Sequence, residues 1–242
     1  MGGYIYDVLI QNTKGSINME EKIFTVPEGT TVITQGIVPR DVTKVIIPNS
    51  VTKIKIRAFC GCKMLKKVTI PSNVTSIGAH AFSGCVSLEE IALPDSITRI
   101  CAYAFNNCRS LERMTIPDSV KIISGYAFNR CRGLIEISIP DGVAIIGPRA
   151  FEYCSKLKSI IIPGSVESIG DCAFYKCYGL KELTILGYNV NFGQYPFLGC
   201  HPEEIKMHAE LLDNIDPPEL RRDGDPWVHA LGRFHRNTIK LL

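Results

Sequence analysis

The 242 residues contain only one tryptophan and no apolar run near the 18 or more that a membrane-spanning helix needs. No block of five or six like charges occurs either. The 27 lysines and arginines are interleaved with 24 acids, for a net charge of +3. Neither a membrane nor a nucleic acid is therefore expected as a partner. Signatures of nucleotide or acyl chemistry are missing too: there is no G-x-G-x-x-G, no P-loop and no G-x-S-x-G elbow. Cys60-x-Cys62 is too closely spaced for a structural zinc pair, and no second pair completes it. No catalytic residue, metal or cofactor is expected, and the chain is not expected to be an enzyme. Met1-Gly2-Gly3-Tyr4 has no basic segment ahead of an apolar one, so no secretory leader is expected, and Tyr6 argues against myristoylation at Gly2.

Ten cysteines are present, and seven keep a pitch of 23 residues: Cys62, Cys85, Cys108, Cys131, Cys154, Cys177 and Cys200. A phenylalanine precedes each by three positions, from Phe59 to Phe197, and a proline column runs from Pro48 to Pro163. A fixed period of this size marks a stacked-repeat solenoid, in which each unit touches only its neighbours. Equivalent cysteines then lie about 4.8 Å apart on parallel Cα–Cβ vectors, whereas a disulfide needs facing Cβ atoms about 3.8 Å apart. The seven are expected to form a buried, unbridged column, with Cys60, Cys101 and Cys172 outside it. So many reduced thiols favour the cytoplasm, with the cell surface or secretion as the alternative.

The unit Pro71–Leu93 shows how one coil is built. Leu88-x-x-Ile91-x-Leu93 alternates like a strand with one buried face, and Pro94, which lacks an N–H, ends it. Val74-x-x-Ile77 reads as a second short extended piece before Gly78, and Ala81-Phe82-x-x-Cys85 has the spacing of a helical turn. The pattern divides the chain into an N-terminal cap (1–23), 23-residue repeats (24–207) and a partly helical C-terminal capping segment (208–242). In that last segment Asp225-Pro226-Trp227 reads as a helix start, with Leu231 and Phe234 continuing an apolar stripe.

These residues resemble the BspA-like (bacterial surface antigen type) leucine-rich repeats, whose unit is Leu-x-x-Ile-x-Ile-Pro-x-x-Val-x-x-Ile-Gly-x-x-Ala-Phe-x-x-Cys. The resemblance covers roughly residues 24–207. It implies a leucine-rich-repeat solenoid, a right-handed horseshoe with a parallel β-sheet on the concave side and short strands and helical turns on the convex side. It also implies a protein-binding function, often that of a surface adhesin.

Two columns are candidates for holding a protein partner. On the inner sheet Lys67, Glu90, Arg113 and Glu136 form a polar strip of alternating charge, which either docks a complementary surface or merely pairs across adjacent strands. Two residues before successive phenylalanines stand Arg57, His80, Tyr103, Tyr126 and Arg149. Tyrosine and arginine are the residue types that dominate interface energies, though Tyr103 and Tyr126 would serve equally as a lid over the core. Ile122 and Ile145, at a normally polar position, suggest a small exposed apolar patch. The function expected is a non-enzymatic protein-interaction scaffold, with a monomer favoured. The alternatives are an adhesin or secreted effector, or an enzyme or metal-binding protein built on the tail, where His201, His208, His229 and His235 gather near Asp213, Asp216, Asp223 and Asp225.

Overall fold

In a computed structural model of the chain, which describes residues 21–209, 211 and 239–242, the repeats wind into a parallel-strand solenoid of about eight turns. Each coil presents three sides. One is a row of three- or four-residue strands: Ile23–Thr25, Lys44–Ile46, Lys67–Thr69, Glu90–Ala92, Arg113–Thr115, Glu136–Ser138, Ser159–Ile162, Glu182–Ile185 and Glu204–Met207. The second is a row of two-residue strands, from Val32–Ile33 to Asn191–Phe192. Both rows are parallel and pair in register at the repeat period, as in Lys67↔Glu90 and Ile122↔Ile145. The paired ladder is interrupted between Glu90–Ala92 and Arg113–Thr115, between Glu136–Ser138 and Ser159–Ile162, and between Ser76–Ile77 and Arg99–Ile100. The third side is a stack of turns.

Side chains from all three sides meet in one continuous core. In the long strands the central residue points inward, so Val68, Ile91, Met114 and Ile137 are buried while both flanking residues are exposed. Phe59, Phe82, Phe105, Phe128, Phe151, Phe174 and Phe197 stack face to face down the axis, with centroids 4.7–5.5 Å apart and ring planes within 13°. That spacing falls at the short end of the 4.5–7 Å range of stacked aromatic pairs. All ten cysteines are free, and the seven ladder thiols are buried beside this stack. Each of the six from Cys85 onward donates to the carbonyl of the phenylalanine 26 residues earlier, as Cys131 Sγ does to Phe105 O at 3.1 Å. Burial raises the pKa of Cys62 to about 11 and pushes up those of Cys85, Cys108, Cys154 and Cys177, so these five thiols stay protonated and unreactive at neutral pH.

The turn side departs from the helical turn that Ala81-Phe82-x-x-Cys85 suggests. Alternate amides point in different directions there. Ala81, Ser83 and Cys85 bond three residues back within the coil, while His80, Phe82 and Gly84 donate to Ala102, Ala104 and Asn106 of the next coil at 2.8–3.0 Å. An α-helix would send every amide to its own fourth-preceding carbonyl and leave none to join the coils. Linking the turns to one another therefore replaces helix with consecutive tight turns, and two residues per coil adopt left-handed backbone.

At the last coil, Ile239–Leu241 pairs in parallel with Ile205–Met207 and covers the outer edge of the long-strand row. Within the expected cap, Ala209 and Leu211 are helical and Ile239–Leu241 is a strand. The helix start at Trp227, the apolar stripe and the alternating stretch Tyr4–Ile10 lie outside the described residues.

Candidate docking surfaces

Two left-handed columns run the length of the turn side. The first comprises Arg57, His80, Tyr103, Tyr126, Arg149, Cys172 and Tyr195, with φ between 54° and 60°. The second comprises Gly61, Gly84, Asn107, Arg130, Tyr153, Lys176 and Gly199. Left-handed backbone disfavours any residue with a Cβ by about 1–2 kcal/mol, and glycine fills the second column at three coils. Tyrosine and arginine elsewhere hold this conformation because the inter-coil bonds of the turn fix it. Their side chains stand on the outer surface.

The side chains of the first column form a pile. His80 stacks on Tyr103 at 4.5 Å and 5°, Tyr103 stacks on Tyr126 at 4.4 Å and 9°, and the Arg149 guanidinium lies 5.7 Å from the Tyr126 centroid. Arg149 is exposed, and the three rings are half-buried with their edges outward. Burial and the neighbouring Arg57 hold the His80 pKa below its ordinary value, and burial with the adjacent Tyr126 raises that of Tyr103. In the second column Tyr153 is held between Arg130, at 5.9 Å, and Lys176, at 5.4 Å. Lys176 also lies 4.9 Å from the Tyr175 centroid, and the phenols of Tyr175 and Tyr153 hold its ammonium above the ordinary lysine range.

Between the two columns runs a polar ladder that sequence reasoning missed. Asn106 Nδ2 donates to Asn129 Oδ1 at 2.9 Å, and Asn129 Nδ2 donates to the Glu152 carboxylate at 2.6 Å. Glu152 lies 3.9 Å from Arg149. Asn129 and Glu152 are buried, so this run satisfies a submerged carboxylate and draws the Arg149 guanidinium toward the turn. The signal was available: Ser83, Asn106, Asn129 and Glu152 share one position of the 23-residue unit and carry groups able to bond in series.

On the long-strand side, Lys67 pairs with Glu90 at 3.1 Å and Arg113 with Glu136 at 3.6 Å, each across adjacent strands. All four side chains are exposed, and each cation faces its own carboxylate. Of the expected apolar patch, Ile145 is exposed and Ile122 half-buried. Among the described residues no group of three histidine, cysteine or acidic side chains could hold a metal ion, and no helix is long and apolar enough to cross a membrane. His229, His235, Asp213, Asp216, Asp223 and Asp225 lie outside the described residues.

The BspA type leucine rich repeat region matches this chain in six copies over residues 39–158 and 98–216. The chain belongs to the BspA-type leucine-rich repeat family. Solved structures agree with that assignment. A leucine-rich repeat protein of Bacteroides ovatus is 28% identical with a TM-score of 0.65, the match covering 76% of this chain and 54% of that one. The leucine-rich repeat protein of T. pallidum is 31% identical with a TM-score of 0.62, covering 76% of this chain and 84% of the other. The BspA-type chain described here thus spans about half the length of the Bacteroides protein. No curated protein matches it.

Proposed function

We propose that this protein is a non-enzymatic scaffold that holds a protein partner on its turn face, with Tyr103, Tyr126 and Arg149 at the centre of the contact. The observation that carries the proposal is the ordered pile of half-buried rings ending in an exposed guanidinium, on backbone positions where glycine would be less strained. Such side chains are already immobilised, so binding a partner orders little more, and tyrosine and arginine are the usual anchors of interfaces. On the strand side, Lys67, Glu90, Arg113 and Glu136 neutralise one another and offer a partner less unsatisfied charge. Family membership supports the scaffold reading, since stacked-repeat proteins bind through extended surfaces. Burial of the seven ladder thiols suits a reducing compartment and also protects the fold at a cell surface, the second address considered.

The test is partner capture from the source cells, with wild type, Tyr103→Ala/Tyr126→Ala/Arg149→Ala, and Lys67→Gln/Glu90→Gln/Arg113→Gln/Glu136→Gln as baits. Loss of a specific partner with the first variant alone supports the turn face. Loss with the second alone moves the site to the strand side and refutes the proposal.

A further inference from the structure

The modest net charge conceals a segregation that appears once the coils are stacked. The seven turn segments 55–64, 78–87, 101–110, 124–133, 147–156, 170–179 and 193–202 contain nine lysines and arginines but only two acids. They therefore carry +7 within a chain of net charge +3, leaving −4 for everything else. Eight of the nine cations are exposed and Lys176 is half-buried. Of the two acids, Glu152 is buried against Asn129 and 3.9 Å from Arg149, while Asp171 is exposed with its Oδ1 accepting the Gln194 amide at 2.6 Å, so nine cations face two carboxylates.

We propose that the turn face receives an acidic, extended segment of a partner protein, its carboxylates bridging the Arg130, Arg149 and Lys176 heads and the outward tyrosine hydroxyls. The proposal rests on the docking face inferred above and names the chemistry it accepts. Guanidinium and phenol groups in adjacent columns supply charge-assisted donors to carboxylates. Seven coils at about 4.8 Å span roughly 29 Å, enough for about nine extended residues.

A single-stranded nucleic acid is the competing polyanion, but it draws affinity from bases stacked on open aromatic faces. Here those faces are occupied. Tyr103 lies between His80 and Tyr126, Tyr126 between Tyr103 and Arg149, and Tyr153 between Arg130 and Lys176. Tyr178 is the more exposed ring of this face, but the central pile offers cationic heads rather than open ring faces, which fits carboxylates better than bases.

The experiment is fluorescence anisotropy of the full chain with a labelled decaglutamate peptide, and in parallel with labelled oligothymidylate of equal charge. Decaglutamate is expected to bind more tightly than the oligonucleotide. Arg130→Gln/Arg149→Gln/Lys176→Gln should weaken decaglutamate binding about tenfold, while Lys67→Gln/Arg113→Gln changes it less than about twofold. Raised salt should weaken it as well. Arg130→Gln alone, at an exposed side chain, keeps the test valid if the triple variant fails to fold, with a loss of about two- to threefold expected. No binding, binding indifferent to these variants, or tighter binding of oligothymidylate would overturn the proposal. If the Tyr103/Tyr126/Arg149 variant loses its captured partner but decaglutamate fails to compete, the docking face stands and the acidic chemistry falls. Capture that survives that variant removes the docking face itself.

Discussion

Phe128 and Tyr126 are two residues apart, yet they experience opposite surroundings. Phe128 is wholly buried between two parallel rings, whereas Tyr126 is stacked but edge-exposed. Phe128→Ala should lower unfolding stability by about 3–5 kcal/mol, as a buried large-to-small change. Tyr126→Ala should lower it by about 1–2 kcal/mol, since part of the ring already meets water. Urea unfolding reads both, and equal losses would place Tyr126 in the core. His80 gives a pH signature. Its pKa is lowered in the folded state, so the unfolded chain binds the proton first as acidity rises. The stability this group contributes is complete above the unfolded value and is lost as pH falls through the folded one. Chemical unfolding at pH 8 and about pH 5 should show a smaller acid loss in His80→Gln than in wild type. At this scale the sequence was readable wherever a residue type repeated, as with phenylalanine, cysteine and proline. The Asn106–Asn129–Glu152 run escaped because its members differ in type and only their shared position unites them.

The turn segments show how element-level reasoning can misjudge a local pattern. Ala-Phe-x-x-Cys does carry helical spacing, but spacing reports which residues are buried, not where amides bond. Demand for inter-coil bonds at His80, Phe82 and Gly84 overrides it and requires left-handed backbone at two positions per coil. The glycines at Gly61, Gly84 and Gly199 were a visible hint, diluted by Asn107, Arg130, Tyr153 and Lys176 in the same column. One substitution tests this directly. Asn107, at φ 61°, should accept glycine with a gain of up to about 1 kcal/mol, because relief of left-handed strain exceeds the added chain entropy. A loss of similar size in thermal or urea unfolding would mean that the turn is helical after all. The strands were easier to read, since alternation at Ile91 and Leu93 and the proline after them are decided within one coil.

For the molecule as a whole, the period sufficed to read architecture, and the family match confirms it. Charge distribution was not legible from the linear chain, where acids and bases alternate. Only when residues are wrapped at 23 per coil do nine cations fall on one side with two acids beside them. The strand-face strip, by contrast, was anticipated with both of its readings, and the ion pairs Lys67–Glu90 and Arg113–Glu136 realise the pairing of unlike charges across strands. The account therefore turns on which side meets the partner. Hydroxyl-radical footprinting of the protein alone and with the partner retained in the capture experiment decides it. Tyr103, Tyr126 and Tyr153 should lose reactivity in the complex, while Ile46 and Ile161, exposed on the strand face at 45% and 57%, keep theirs. Protection of those isoleucines with the tyrosines unchanged would contradict it.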